Sequence, residues 1–175
     1  MFRLDNKTAI ITGGGSGIGK AIATVFAQQG ASVHILDMDE QGATNVVQEI
    51  TAAGGKGRFY KCDVSKQADV KQIVDSIAAN GAIDILINNA GRGLSCSASA
   101  PPLGEARDLF ELNFFAPFHL AQLASPALRL SAGVIVNVSS IAGQISLPWL
   151  PLYSATKFAL GSLSSSQRSE LRRHG

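Results

Sequence analysis

The sequence predicts a single α/β domain in which a parallel sheet carries helices on both faces. Short apolar runs alternate with longer segments whose apolar residues recur every three or four positions. This alternation is typical of parallel strands joined by right-handed helical crossovers. With 175 residues, of which 46% are hydrophobic, the chain has the size of one domain with a sizeable core.

The first half of the chain contains four predicted strands and three predicted helices. Residues 7–12 form an apolar run that ends in glycines and predict a buried strand. Residues 17–29 carry the apolar spacing of one helix face, and Gly30 is expected to end that helix. The same patterns predict strands at residues 32–36, 58–62 and 83–87, and helices at residues 40–53 and 66–79.

The second half continues the alternation with longer loops. Residues 91–103 are rich in Gly, Ser and Pro and predict a loop. Residues 104–130 predict a helix that Pro117 should bend, because proline has no amide donor. The remaining predicted elements are a strand at 134–138, a loop at 140–151 and a helix at 152–173.

Composition excludes several functional classes. The net charge of +2 is too small to indicate a nucleic acid or an anionic membrane as partner, and no apolar run approaches the length of a membrane span. Cys62 and Cys96 form no disulfide framework or CxxC pair, and the three histidines do not have metal-ligand spacing. We therefore predict a reduced, soluble, cytoplasmic protein without a signal peptide or a metal.

A glycine-rich turn separates the first predicted strand from the first predicted helix, in the sequence Thr12-Gly13-Gly14-Gly15-Ser16-Gly17-Ile18-Gly19. Glycines allow the backbone to approach a pyrophosphate at a helix N-terminus, which predicts a dinucleotide site in a Rossmann-like, doubly wound sheet. Lys20 nearly completes a mononucleotide P-loop, but Ala21 then stands where that loop needs a hydroxyl for magnesium. A glycine turn without a ligand is the remaining alternative.

Asp37, at the end of the second predicted strand, supports the dinucleotide interpretation. A carboxylate at this position can accept hydrogen bonds from both adenosine ribose hydroxyls, and it would repel a 2′-phosphate. Neither Met38 nor Ser16 provides an arginine for that phosphate. The sequence therefore predicts NAD in preference to NADP, with a solvated strand-end aspartate as the alternative.

Tyr153 and Lys157 lie one helical turn apart on the same face of the final predicted helix. An ammonium close to a phenol favours the phenolate, a form that can accept a proton from a substrate. Ser140, just after the fifth predicted strand, can hold a substrate hydroxyl or carbonyl next to that phenol. These three residues predict a proton-transfer site.

Taken together, the motifs resemble the classical short-chain dehydrogenase/reductase family, and the resemblance extends over residues 1–175. It rests on the glycine-rich turn, on Asp63-Val64 after the third strand, and on Asn88-Asn89-Ala90-Gly91 after the fourth strand. Asn113, Ser140 and the pair Tyr153 and Lys157 complete the set.

The resemblance implies an NAD-dependent oxidoreductase acting on an alcohol or ketone substrate. Tyr153 would be the general acid/base, and Lys157 would bind the nicotinamide ribose and tune the tyrosine. Ser140 would orient the substrate, and Asn113 would hold a water that links Lys157 to solvent. The implied cofactor contacts are Gly13, Gly15, Ser16, Gly17, Ile18, Gly19, Asp37, Asp63, Val64, Asn89, Ala90, Gly91, Tyr153 and Lys157.

Several of these residues have structural alternatives. Asn88 and Asn89 can pin the turn after strand four, Asn113 can bond within its own helix, and Asp63 can cap a helix. The family resemblance also implies a homodimer or homotetramer formed through the helices that carry Asn113 and Tyr153.

The family pattern continues with a sixth strand, a Pro-Gly segment that binds the nicotinamide amide, a substrate-covering loop and a seventh strand. The 175 residues contain none of these, so we expect strand five to be an exposed edge and the chain alone to have little activity. A chain shorter than the biological one, a truncation and a partner that completes the fold all remain open. The basic residues change from six Lys and two Arg in 1–90 to one Lys and six Arg in 91–175, which leaves a fusion of two relatives open too.

The missing segment also leaves a second function open, that of a non-catalytic dinucleotide-binding or subunit-pairing protein. The substrate cannot be read from the sequence, because most of the residues that would select it lie in that segment. Four residues are candidates for lining what remains of a substrate pocket: Leu94, Ser146, Leu147 and Trp149.

Overall fold

A computed structural model describes residues 2–99 and 103–171 of the chain. Strands and α-helices alternate along it. The strands are β1 (Thr8–Thr12), β2 (Ser32–Asp37), β3 (Lys56–Lys61), β4 (Ile85–Asn88) and β5 (Val134–Asn137). The α-helices are α1 (Gly17–Gln28), α2 (Glu40–Ala52), α3 (Gln67–Ala79), α4 (Leu103–Phe110), α5 (Ala116–Leu130) and α6 (Pro151–Leu171).

The strands form one parallel sheet in the order β3-β2-β1-β4-β5. β1 lies at the centre, where Ile10 is opposite His34 of β2 on one side and Leu86 of β4 on the other. The chain runs outward from β1 in one direction and returns to start again in the other, so the strand order reverses between β1 and β4. A reversal of this kind opens a crevice at the carboxyl ends of the strands. The predicted α/β class with a Rossmann-like, doubly wound sheet is confirmed.

Each face of the sheet has its own hydrophobic core, because alternate residues of a strand point to opposite faces. Ile10 of β1 belongs to the core formed with α3 and α5, where Val74 and Leu120 are buried. Its neighbour Ile11 belongs to the core formed with α1 and α2, where Ala23 and Val46 are buried. The helices therefore cover both faces and leave the strand ends free for a site.

The predicted helix at residues 104–130 is interrupted by a π-helical turn, Glu111–Phe115, between α4 and α5. In this turn the Ala116 amide donates to the Glu111 carbonyl, five residues back instead of four. Pro117 cannot donate to the carbonyl of Asn113, so the regular pattern fails at this point. The sequence predicts a bend at Pro117, whereas the irregularity observed in the structure is the π-helical turn that precedes this proline.

Other boundaries differ from prediction by a few residues. β3 begins two residues earlier than predicted and ends before Cys62, and a 3₁₀ turn (Ile141–Gly143) lies inside the predicted loop at 140–151. Helix α6 begins at Pro151, a favoured first helical residue because its missing amide has no helical partner there. The predicted helix end at residue 173 lies outside the described residues. Among those that are described, no helix is long and apolar enough to cross a membrane.

β5 is an edge of the described sheet, as the sequence predicts, and its only hydrogen-bonded neighbour there is β4. Val134 and Val136 remain 50% and 42% exposed. A groove of about 680 Å³ runs along β5 between α5 and α6, and it contains none of the predicted catalytic or cofactor residues among those described. The candidate site therefore lies elsewhere.

Candidate active site

A cavity of about 590 Å³ opens at the carboxyl ends of the strands. It brings together twelve predicted residues that are far apart in the sequence: Gly13, Ser16, Gly17, Ile18, Asp37, Asp63, Val64, Asn89, Ala90, Gly91, Tyr153 and Lys157. Four other predicted residues do not line it: Gly15, Gly19, Asn113 and Ser140. Further lining residues, to which the sequence analysis assigned no role, are Leu36, Cys62, Arg92, Gly93, Leu112, Val138 and Ser139.

The glycine-rich turn forms one wall and is held in place by its own backbone. Gly13 has φ +65°, a conformation that favours glycine, and its amide donates to the Leu36 carbonyl at 2.8 Å. A Cβ atom at Gly19 would overlap the Gly13 carbonyl oxygen, so only glycine lets α1 start this close to the turn. Ser16 precedes α1 without a side-chain cap, and the first turn contains no acidic residue. The positive end of α1 is therefore available to an anion in the cavity.

Asp37 lies at the end of β2 beside the glycine-rich turn. One carboxylate oxygen accepts the Gly15 amide at 2.8 Å, and the other accepts the Asp39 amide at 2.9 Å. A Cβ atom at Gly15 would be 3.0 Å from the carboxylate, so this glycine allows the close approach. Each oxygen keeps a further lone pair, with which the carboxylate can accept hydrogen bonds from a ligand in the cavity.

Thr12 connects the glycine-rich turn to the turn after β4, a role that the sequence analysis missed. Its buried hydroxyl oxygen accepts the amides of Asn89 and Ala90 at 3.0 and 2.9 Å. In return, the Asn89 side-chain amide donates to the carbonyl oxygens of Thr12 and Gly13 at 3.0 and 3.1 Å. A threonine just before a glycine-rich turn was visible in the sequence, but its partners are 77 and 78 residues away.

Asn88 makes a different connection, between strands. Its side-chain nitrogen donates to the Asn137 side-chain oxygen of β5 at 2.8 Å. Asn88 and Asn89 thus pin the turn after β4 to its surroundings, as the structural alternative proposed, while Asn89 also lines the cavity.

The segment after β3 supplies another wall of the cavity. Asp63 accepts the amide and the hydroxyl of Ser65 at 3.0 and 2.7 Å, which closes a turn before α3 without capping the helix itself. Val64 is buried. Cys62 is also buried, and burial together with the nearby Asp69 and Asp63 carboxylates raises the pKa of its thiol to about 11. This wall therefore presents two apolar side chains, Cys62 and Val64, together with the Asp63 carboxylate.

Lys157 and Tyr153 face the cavity from α6. Lys157 is only 5% exposed, and its ammonium donates to the Val138 carbonyl at 2.9 Å. The ammonium nitrogen lies 5.8 Å from the centre of the Tyr153 ring. Burial lowers the pKa of Lys157, because the charged form has lost most of its water.

Asn113 lies behind the cavity wall and is 1% exposed. Its side-chain nitrogen donates to the Arg92 carbonyl at 2.9 Å and to the Thr156 hydroxyl at 3.1 Å, and its oxygen accepts the Arg92 amide at 3.1 Å. These partners lie outside the helix of Asn113, so the alternative of a bond within its own helix is wrong. Both amide protons are in use.

Ser140 precedes the 3₁₀ turn, and its hydroxyl accepts the Ala142 amide at 3.1 Å. This turn packs against α6, where a Cβ atom at Gly143 would be 2.8 Å from the Lys157 carbonyl oxygen. Ser140 is therefore held beside α6, although the cavity lining itself includes Ser139 and not Ser140.

The four residues suggested for a substrate pocket lie in two loops, after β4 and after the 3₁₀ turn, which are joined by a hydrogen bond from the Cys96 amide to the Trp149 carbonyl at 2.9 Å. All four belong to the described part of the chain, and none of them lines the 590 Å³ cavity.

Comparison with known proteins gives a consistent result. The sequence model of the short chain dehydrogenase family matches residues 7–175. The 7alpha-hydroxysteroid dehydrogenase of Escherichia coli (strain K12) is 39% identical over 164 residues, which are 93% of this chain and 64% of that protein. The chain thus spans slightly less than two thirds of the length of this relative.

Two solved structures show the same fold. A 7alpha-hydroxysteroid dehydrogenase complexed with NADH and 7-oxo glycochenodeoxycholic acid has a TM-score of 0.93 and 37% identity, covering 100% of this chain and 71% of that one. A metagenomic short-chain oxidoreductase in complex with NADP has a TM-score of 0.92 and 34% identity, covering 98% of this chain and 79% of that one.

Proposed function

The chain belongs to the short-chain dehydrogenase family, and from this we propose that it is an NAD-dependent oxidoreductase acting on an alcohol or ketone substrate. One observation carries the proposal. A single cavity is lined both by the glycine-rich turn with Asp37 and by Tyr153 with Lys157. A dinucleotide bound along this cavity would therefore extend from the groups that recognise it to the groups that move a proton.

The residues around the cavity fit a dinucleotide. The uncapped N-terminus of α1 suits a pyrophosphate, and the close contact of Gly19 with Gly13 keeps that wall free of side chains. Asp37 would accept hydrogen bonds from the adenosine ribose hydroxyls, and Lys157 would bind the nicotinamide ribose. The wall of Cys62, Val64 and Asp63 would contact the adenine with two apolar side chains and one carboxylate that can accept a hydrogen bond. When bound, the nicotinamide supplies or accepts the hydride.

The protein's own residues handle the proton. Tyr153 takes the proton from a substrate hydroxyl in oxidation and returns it to the carbonyl oxygen in reduction. Lys157 lies close enough to stabilise the phenolate, since its ammonium is 5.8 Å from the ring centre in a buried setting. Ser140, held beside α6, orients the substrate oxygen.

We propose that the backbone carbonyl of Asn113, and not its side chain, holds the water that relays protons between Lys157 and solvent. Both side-chain protons of Asn113 are bonded to protein groups. Its carbonyl, in contrast, lacks the usual donor four residues on, because that residue is Pro117. We assign the water that connects Lys157 with solvent to this carbonyl.

The preference for NAD rests on charge. Asp37 is the carboxylate next to the glycine-rich turn, and Met38 beside it is exposed and uncharged. A 2′-phosphate would meet the carboxylate without a compensating arginine from either neighbour. Solved relatives are seen with NADH and with NADP, so the proposed preference depends on Asp37 and its neighbours in this chain.

Self-association through the helices of the site is also part of the proposal. Phe115 and Phe118, near the junction of the π-helical turn with α5, are 43% and 38% exposed, and Phe158 of α6 is 42% exposed. Large apolar side chains exposed on neighbouring helices favour burial against another subunit. We propose a homodimer or homotetramer formed on these helices.

The test begins with calorimetric titration of the chain with NAD⁺ and, separately, with NADP⁺. We expect NAD⁺ to bind more tightly, and Tyr153→Phe to keep that affinity while lowering hydride transfer to a secondary alcohol at least about a hundredfold. Tyr60→Phe is the matched control, since its hydroxyl contacts His34 at 3.2 Å and lies on β3. Binding of neither nucleotide would refute the proposal. Binding without transfer in the unmodified chain would favour a non-catalytic dinucleotide-binding protein.

A further inference from the structure

We infer that Thr156 is a positioning residue that holds the loop after β4 against α6, because it stabilises the Asn113 side chain in the orientation that pairs with the Arg92 backbone. Thr156 is fully buried and lies between Tyr153 and Lys157 in the sequence. The inference rests on the proposed function only where it concerns cofactor affinity. Its structural part stands on hydrogen bonds alone.

The proton of the Thr156 hydroxyl is already used in a hydrogen bond. It donates to the Tyr153 carbonyl at 2.7 Å, and it can therefore only accept from a third group. That third group is the Asn113 side-chain nitrogen at 3.1 Å. A flipped Asn113 would present its oxygen to an oxygen that has no proton left to give, so Thr156 favours the same amide orientation that the Arg92 backbone requires.

The selected orientation determines how Asn113 holds Arg92. The amide nitrogen donates to the Arg92 carbonyl and the amide oxygen accepts the Arg92 amide, which forms a paired contact like that between two strands. In the flipped orientation both contacts would be reversed, donor against donor and acceptor against acceptor. One hydroxyl on α6 thus reinforces two hydrogen bonds to the backbone of a distant loop.

This loop is a part of the cavity wall that lies close to Lys157. A Cβ atom at Gly91 would be 3.1 Å from the Asn113 side-chain oxygen and 3.8 Å from the Lys157 ammonium nitrogen. Gly91, Arg92 and Gly93 all line the cavity. A shift of the Asn113 amide would therefore move the wall against which a ligand beside Lys157 must fit.

Thr156→Val is the critical variant, because valine keeps the shape of threonine and removes the acceptor. It leaves one Asn113 proton buried without a partner, and we expect the paired contact with Arg92 to loosen. Hydrogen exchange at the Arg92 amide should become about tenfold faster, the scale set by the loss of one buried hydrogen bond, and the Kd for NAD⁺ should rise about as much.

Two further variants separate positioning from general stability. Thr156→Ser keeps the hydroxyl and should restore Arg92 exchange and NAD⁺ affinity. Thr51→Val is the matched control, because the Thr51 hydroxyl donates only within α2, to the Val47 carbonyl at 2.8 Å, and is exposed. It should leave both readouts unchanged.

The unmodified chain provides a test that does not depend on any variant folding. Its NMR spectrum should show both side-chain amide protons of Asn113 protected from exchange, and Thr156→Val should lose the protection of one. Unprotected Asn113 protons in the unmodified chain, or unchanged Arg92 exchange in Thr156→Val, would overturn the inference. Equal acceleration across all of α6 would do so too. A chain that binds no NAD⁺ refutes the proposed function, while the exchange data still decide the role of Thr156.

Discussion

The side-chain nitrogen of Lys157 donates a hydrogen bond to the carbonyl oxygen of Val138, 2.9 Å away. Val138 follows β5, and its own amide donates to the Asn88 carbonyl at 2.9 Å, so the acceptor is fixed to the edge of the sheet. The ammonium is thereby held inside the cavity at a point where burial disfavours its charge. The burial of the Lys157 ammonium at this fixed position should therefore affect how the stability of the fold depends on pH.

The stability difference between the unmodified chain and Lys157→Met should depend on pH. Burial lowers the pKa of Lys157 in the folded chain below the value of 10.5 that it has when unfolded. Between these two values the unfolded chain binds more protons, so raising the pH through this window stabilises the folded chain. We expect urea unfolding to show the unmodified chain gaining stability relative to Lys157→Met from pH 7 to pH 10.

Taking the difference from Lys157→Met removes the effect of other groups that titrate in this range, such as Cys62 with a pKa of about 11. The bond to Val138 is absent from Lys157→Met at every pH, so its loss lowers the stability of the variant without giving the variant a pH dependence. A difference that is flat with pH, or that falls, would contradict the assignment of Lys157 as a buried cation.

Gly19→Ala should damage both the fold and cofactor binding. The new Cβ would overlap the Gly13 carbonyl oxygen and lie 2.6 Å from the Asn89 side-chain nitrogen, two groups whose positions are already set by hydrogen bonds. Overpacking of this kind costs about 1–3 kcal/mol in the free energy of unfolding. We expect a loss of that size in urea unfolding, and at least about a tenfold weaker affinity for NAD⁺ in calorimetry.

Gly161→Ala is the control for this prediction. Gly161 lies inside α6, and a Cβ there would meet nothing within 4 Å, so the change should stabilise the helix by up to about 1 kcal/mol. If Gly19→Ala behaved like Gly161→Ala, the close contact with Gly13 would not exist in solution.

Asp37→Asn should shift the cofactor preference. The amide oxygen of asparagine can still accept the Gly15 amide, now 2.8 Å from the carboxylate. The bond from the Asp39 amide is lost, and the charge facing a 2′-phosphate is removed. We expect the Kd for NADP⁺ to fall about tenfold, which corresponds to about 1.4 kcal/mol, with a smaller loss of NAD⁺ affinity.

Asp39→Asn removes the same charge two residues away. Asparagine caps helices as well as aspartate does, so the bond from the Gly42 amide to residue 39 at 3.0 Å should survive. Calorimetry should show little change in the affinity for either nucleotide. An equal response to the two substitutions would mean that general charge, and not the position of Asp37, controls the preference.

The two cysteines should differ in reactivity with iodoacetamide at pH 8. Cys62 is 3% exposed and its pKa is raised to about 11, so only about a thousandth of it is thiolate at that pH. Cys96 is partly exposed on the loop after β4. Peptide mass spectrometry should find Cys96 modified at least about tenfold faster. Faster modification of Cys62 would show that the wall before α3 opens in solution.

The sequence alone determined the parts of this protein that depend on local patterns. The apolar run of β1 followed by glycines, the carboxylate at the end of β2 and the helical spacing of Tyr153 and Lys157 each involve neighbouring residues. Because parallel strands end at one edge of a sheet, the turns after β1 and β2 lie at the same edge once the sheet has formed.

Only the tertiary structure decided how the cavity walls are held together. Thr12 meets Asn89 across 77 residues, and Thr156 meets Asn113 across 43 residues. Such pairs leave no periodicity in the sequence, because each hydroxyl finds its acceptor or donor only after the strands and helices have packed. The π-helical turn at Asn113 has the same origin in part, since Pro117 removes a donor, while the surrounding contacts determine which turn widens.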